Sequence, residues 1–109
     1  MKTLRYVILR HDGIEQPHFD VMFEAAESGP LITLRSDAWP AVKGSTLQRL
    51  ADHRRAYLDY EGPVSGNRGF VRRIASGTCE LLPDDHGVLR VTLDGQTRFL
   101  VHAGSAVVN

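Results

Sequence analysis

The sequence predicts an all-β fold, a small closed or partly open β-barrel of about eight strands with at most one short helix. Two observations predict it. Turn signals are frequent: Ser28-Gly29-Pro30, Lys43-Gly44-Ser45, Glu61-Gly62-Pro63, Ser65-Gly66-Asn67, Ser76-Gly77, the run from Pro83 to Gly87, and Asp94-Gly95. The pieces between them are short, about five to nine residues, and several alternate polar and apolar side chains with period two. In a chain of 109 residues so filled with strands, curling the sheet is the best way to manage exposed edges.

Taken in order, the first strand spans 3–10, where Leu4 to Arg10 is rich in β-formers. Asp12-Gly13 opens a loop that Pro17 closes, and a second strand spans 18–25. There Phe19, Val21 and Phe23 share one face, with His18, Asp20, Met22 and Glu24 on the other. Further strands are expected over 30–36, 54–60, 69–75, 78–82, 88–93 and 96–102, with Asp94-Gly95 as a hairpin turn between the last two. The segment Ser45 to Ala51 is the one helical candidate, a turn or two at most. No repeat, low-complexity tract or linker interrupts the chain, so residues 1–109 form a single domain.

Composition narrows the function classes. Thirteen basic and thirteen acidic residues cancel, so net charge gives no argument for nucleic-acid binding. Arginines 49, 54, 55, 68, 72 and 73 nevertheless cluster within about 25 residues, enough to meet phosphates locally. No apolar stretch approaches the roughly 20 residues of a membrane span, and Met1-Lys2-Thr3 leads straight into a strand, so neither membrane nor signal peptide is expected. The single cysteine, Cys79, excludes an internal disulfide, suits a reducing cytoplasm, and is read as structural.

Two clusters carry chemistry. His11 at the end of the first strand, and His18 and Asp20 at the start of the second, meet at one end of the pair if the loop folds the strands together. Two imidazole nitrogens and one carboxylate, without a cysteine nearby, suit a divalent manganese, iron or zinc ion with open positions for water or substrate. H-x-D alone is weak and often no more than surface; His11 strengthens it. In the second cluster, alternation over 54–60 places His53, Arg55, Tyr57, Asp59 and Glu61 on one strand face. An imidazole, a phenol and a guanidinium suit the oxygens of a phosphate ester, although such a face is commonly just solvated. Trp39 reads as a core or rim anchor, and His86 and His102 as incidental. The loop from Gly62 to Gly69 is expected to border the site, with Arg68 able to reach a phosphate.

Three separated blocks occur together in order: Arg10-His11-Asp12 continuing to His18-Phe19-Asp20 and Glu24; Trp39 with Lys43-Gly44-Ser45; and Asp52-His53, Tyr57 and Asp59-Tyr60-Glu61-Gly62. Over most of residues 5 to 82 the chain thereby resembles the 3′-phosphoesterase domain of bacterial DNA ligase D. The resemblance implies a small β-barrel with a surface groove, and a divalent metal, typically manganese, with zinc or another transition metal also suited. It implies trimming of a 3′-terminal ribonucleotide or 3′-phosphate from a primer strand, leaving a hydroxyl for a ligase or polymerase that would here act in trans. By matched position, His11, His18 and Asp20 would be the metal ligands, His53 and Tyr57 the catalytic pair, and Lys43 a substrate contact.

The chain departs from the family pattern at Met22, where the family carries an arginine that contacts the scissile phosphate. Methionine supplies no donors, so Arg55 or another arginine is expected to reach in, or else hydrolysis is weak. The loop between His11 and His18 is one residue longer than usual, and the family's N-terminal extension and attached polymerase or ligase domain have no counterpart, so the domain is expected to stand alone. The competing expectations are a binding module for nucleic-acid ends or a protein partner that keeps the metal but has lost hydrolysis, and an enzyme acting on a small organophosphate or a non-phosphate substrate.

Overall fold

The computed structural model describes residues 3–109; Met1 and Lys2 of the expected N-terminal start lie outside them. Nine strands follow in order: β1 (Leu4–Asp12), β2 (His18–Glu24), β3 (Leu31–Ser36), β4 (Thr46–Arg49), β5 (Gly62–Pro63), β6 (Phe70–Pro83), β7 (Leu89–Leu93), β8 (Thr97–Val101) and β9 (Ser105–Val108). A single 3₁₀ turn, Arg55–Leu58, lies between β4 and β5. All pairings are antiparallel in the order β1-β2-β3-β4-β9-β8-β7-β6, and β6 pairs back onto β1 to close an eight-stranded barrel. The short β5 adds to β6 beside it.

Alternation along the strands divides the apolar residues between two places. Tyr6 and Ile8 of β1, Val21 and Phe23 of β2, and Leu34, Val91 and Phe99 fill the barrel. Each such aliphatic or aromatic side chain contributes about 1.5–3 kcal/mol by leaving water. The other faces of the same strands, which in many barrels meet solvent, here carry Val7, Leu9, Met22, Leu31 and Val71, all buried together with Leu58. Leu58 comes from the 3₁₀ turn, so the crossover between β4 and β6 lies over the outside of β1 and β2. It is this cover that turns an outer sheet face into a site.

Four elements differ from the sequence expectation. The helical candidate Ser45 to Ala51 contains β4 instead, because one apolar residue, Leu47, must face the core, and β9 offers a partner edge for Thr46 to Gln48. The expected strand 54–60 is absent: His53 makes an isolated bridge with Leu31, and the chain then coils into the 3₁₀ turn. Of the side chains that strand would have buried, Leu58 alone is in the core, while Ala56 and Tyr60 are exposed. The strands expected over 69–75 and 78–82 form one, β6, running through Ser76-Gly77. Gly77 is needed there for a different reason: a Cβ would lie 2.4 Å from the Asp94 carboxylate, which accepts a hydrogen bond from the Thr78 N–H at 3.0 Å. The fourth difference is β9, whose Ala106 and Val108 enter the core. The expected hairpin at Asp94-Gly95 is present, with both residues at positive φ, 49° and 70°, as the turn between right-twisted strands requires. Trp39 packs on the edge of the core as an anchor.

Candidate metal centre and adjoining cleft

The β1–β2 register is continuous from Tyr6 opposite Phe23 to His11 opposite His18. His11 and His18 are therefore direct cross-strand neighbours, their rings edge to face with centroids 5.1 Å apart. Asp20 stands opposite Leu9, two residues further along the same face as His18. The sequence placed His18 and Asp20 beside each other on a polar face; the structure adds that this face is buried, with Asp20 only 3% exposed. One ligating atom from each of His11, His18 and Asp20 falls within 4.8 Å of the others, so this group could hold a metal ion.

The hydrogen bonds of the two rings fix which nitrogens are free. A carbonyl oxygen only accepts, so each short contact to one identifies the nitrogen that carries hydrogen. His11 donates from Nε2 to the Arg68 carbonyl at 2.7 Å, and His18 donates from Nδ1 to the Gln16 carbonyl at 2.9 Å. The remaining nitrogens both face Asp20: His11 Nδ1 lies 3.7 Å from Oδ2, and His18 Nε2 lies 3.1 Å from Oδ1. That Oδ1 is buried and accepts no hydrogen bond. With both rings neutral, lone pairs thus converge on a buried carboxylate oxygen, which is repulsive unless a proton or a metal cation lies between them. The donor set fits a divalent transition ion held by two nitrogens and one oxygen with positions left open.

The second half of the site rides on the crossover. Leu31 and His53 exchange backbone hydrogen bonds at 2.8 and 3.0 Å, which pins the segment to β3. His53 donates from Nδ1 to the Ala51 carbonyl at 2.9 Å, leaving Nε2 as its free nitrogen. The 3₁₀ turn then brings Tyr57 over, its ring centroid 5.9 Å from that of His53. A second clamp holds the turn from beneath, as Arg55 forms an ion pair with Glu24 and donates to the Gly29 carbonyl at 3.1 Å. Glu24, buried on β2, also accepts the Arg5 N–H at 2.7 Å. The Arg68 loop closes the other side: Gly69, at φ +71°, packs so tightly that a Cβ would lie 2.1 Å from the Asp12 carbonyl oxygen.

These parts enclose a cleft of about 490 Å³ in which His11, Asp20, His53, Tyr57 and Arg68 are brought together over a floor of Leu9, Met22 and Val71. His18 lies beneath, against Asp20. Lys43 and Arg55 do not line it: Lys43 belongs to the turn before β4, and Arg55 is turned to Glu24. Sequence reasoning missed Arg54, which does line the cleft. Strand alternation put Arg54 and Tyr57 on opposite faces, whereas a 3₁₀ period of three puts positions i and i+3 on the same one. Met22 occupies the floor, 1% exposed, and Arg54 stands at the rim. Set against known proteins, the chain matches no family model and no curated sequence.

A separate polar lock joins β1 to the β7–β8 turn. The Tyr6 hydroxyl donates to Asp94 at 2.6 Å. Burial, and then this hydrogen bond, push the Tyr6 phenol up to about 12, while the same bond holds the Asp94 carboxyl below its ordinary range. Cys79, read from the sequence as structural, is buried in the core, and desolvation pushes its thiol up to about 11, which disfavours the thiolate. Among the described residues no helix is long and apolar enough to cross a membrane.

Proposed function

We propose that this protein is a metal-dependent phosphoesterase that processes the 3′ ends of nucleic-acid strands, with manganese as its ion, as the resemblance to the DNA ligase D phosphoesterase domain implies. The observation that carries the proposal is the orphaned Asp20 Oδ1 facing two imidazoles of fixed tautomer. The presence of His53 and Tyr57 in the same cleft supports it. His11, His18 and Asp20 would hold a divalent ion, which would supply Lewis-acid polarisation of a phosphoryl oxygen and lower the pKa of water. The rest falls to the chain's own groups. His53, oriented by the Ala51 carbonyl, gives or takes a proton at Nε2, and the Tyr57 phenol orients the phosphoryl oxygens beside it. The product is a 3′-hydroxyl end that a separate ligase or polymerase can extend or seal. The lone cysteine supports a reducing, cytoplasmic setting.

Release of inorganic phosphate from a 3′-phosphorylated primer with added manganese tests the proposal. Turnover by the wild-type protein that is abolished in His18→Ala supports it; no turnover, or equal turnover in the variant, refutes it. Met22 favours a second reading, a module that binds strand ends without cleaving them, because the apolar floor offers no donor to transition-state charge. Metal-dependent affinity for 3′-phosphate ends without phosphate release would establish that alternative.

A further inference from the structure

Of the arginines around the cleft, most are already committed. Arg55 is paired with Glu24, and Arg68 donates from Nε to the Ser65 carbonyl at 2.7 Å. Arg10 is paired with Asp12 at 3.0 Å and Arg73 with Glu61 at 3.2 Å. The Arg54 guanidinium makes no hydrogen bond or ion pair with any described residue, yet the residue's main chain is fixed. It sits at the entry to the 3₁₀ turn with φ −64° and ψ 140°, and its carbonyl accepts the Tyr57 N–H at 3.1 Å. Of the four residues that line two adjoining clefts, Arg54, Tyr57, Val64 and Ser65, it is the one with a cationic side chain. A second cleft of about 200 Å³, walled by Tyr57, Tyr60 and Pro63, adjoins the first, and Arg54 lines both. The two tyrosine rings meet edge to face at 5.9 Å, and the Tyr60 hydroxyl is tied to the Pro63 carbonyl, which holds that ring in place.

We propose that Arg54 binds the phosphate of the ligand at the seam of these two clefts, and that the nucleoside bearing this phosphate lies in the Tyr57–Tyr60 cleft. The inference rests on the phosphoester reading above and names what that site recognises. A free guanidinium is a fork of donors suited to two non-bridging phosphate oxygens. From the rim it supplies what Met22 on the floor lacks. Beyond it, fixed aromatic rings offer a face on which any base can stack, which matches a site that accepts strand ends without reading their sequence. A phosphate group held between Arg54 and the His/His/Asp group thus leaves its nucleoside on the tyrosine side.

Calorimetric titration of the manganese-loaded protein with inorganic phosphate and with thymidine 3′-monophosphate tests this. Arg54→Gln is expected to weaken both about tenfold, the worth of roughly one charge-assisted hydrogen bond, with Arg54→Lys between it and the wild type. Tyr60→Leu is expected to weaken the nucleotide alone, and Arg90→Gln, at a distant exposed position, neither. Manganese affinity, followed by electron paramagnetic resonance, should stay unchanged in all of them. Wild-type phosphate affinity in Arg54→Gln overturns the role of Arg54, and a nucleotide bound no more tightly than phosphate overturns the placing of the nucleoside; neither touches the metal centre. A wild-type protein that binds manganese but no phosphate probe overturns both this inference and the phosphoester reading. Failure to take up manganese, with Arg54-dependent phosphate binding intact, overturns the metal-dependent reading alone.

Discussion

Replacing Asp20 by asparagine separates a metal ligand from a structural carboxylate, because the two roles predict opposite signs for stability. Without an ion and with the His18 ring neutral, Asp20 Oδ1 is buried, accepts no hydrogen bond and lies 3.1 Å from the lone pair of His18 Nε2. An asparagine whose amide nitrogen takes the place of Oδ1 donates to that nitrogen and removes the buried charge. Leaving a buried acceptor unsatisfied costs about 1–3 kcal/mol, so metal-free Asp20→Asn should gain about 1–2 kcal/mol over the wild type. In a domain of this size that is a rise in Tm of about 4–15 °C. Manganese should do the reverse. At a hundred times its Kd, an ion that binds only the folded state stabilises the wild type by about 2.7 kcal/mol, and loss of the charged ligand removes most of this. Thermal unfolding of both proteins with chelator and with excess manganese measures all four values. A metal-free variant less stable than the wild type, or one that responds equally to manganese, would refute the argument.

Three further outcomes are expected. Met22→Arg places donors on the cleft floor and should raise turnover on a 3′-phosphorylated primer about a hundredfold, at a cost of about 1–3 kcal/mol in stability for overpacking a closed cluster; steady-state rates and chemical denaturation check the two halves. Gly69→Ala, whose Cβ would lie 2.1 Å from the Asp12 carbonyl oxygen, should push the Arg68 carbonyl away from His11 and weaken manganese affinity about 10–100-fold by freeing the ring that this carbonyl orients, as read by metal titration. The Tyr6 phenol, pushed up from 10 to about 12, keeps its proton in the folded state where the unfolded chain has lost it. Its stabilising effect is complete below pH 10 and disappears as pH rises through 12, whereas that of Asp94, held low, is present above the ordinary carboxylate range and lost in acid. Tyr6→Phe should flatten the alkaline limb above pH 10 in stability measured against pH.

The parts of this site that were legible in the sequence are those fixed by local period and register. Alternation placed His18 beside Asp20, and a loop closed by Pro17 brought His11 opposite, because hairpin pairing leaves few registers open. What alternation could not show was that this face is covered. The cover depends on interactions remote in sequence: Leu58 in one buried cluster with Val7 and Leu9, His53 bridged to Leu31, and Arg55 paired with Glu24. Those contacts outweigh the strand pattern of 54–60, and the change from period two to period three exchanges Arg54 for Arg55 at the cleft. The fused β6 was hidden for a related reason. Gly77 looks like a turn in isolation and is instead the point where another turn's carboxylate approaches the strand.

The division of labour between barrel and crossover has a dynamic consequence. The three candidate metal ligands stand on β1 and β2, which are paired on both edges, with one irregularity in the β1–β6 ladder between Ile8 and Leu9. His53, Arg54, Tyr57 and Arg68 ride on a segment with one 3₁₀ turn and a two-residue strand, held by the Leu31 bridge, the Glu24 clamp and the Val64–Gly69 hydrogen bond of 2.8 Å. Local opening follows the number of bonds that must break, so the crossover should open well before the barrel. Among the described residues, the hydrogen bond from His11 Nε2 to the Arg68 carbonyl links the candidate ligand group to this segment. An ion that fixes the His11 ring therefore strengthens the acceptor's loop as well. In hydrogen exchange, amides of Val64 and Arg68 should exchange faster than those of β1 and β2 without metal and slow severalfold when manganese is added, while Asp94 and Gln96 of the distant turn stay unchanged. Equal slowing at both places would mean global stabilisation and remove the coupling; no slowing at Val64 and Arg68 would mean that the ring and the loop act independently.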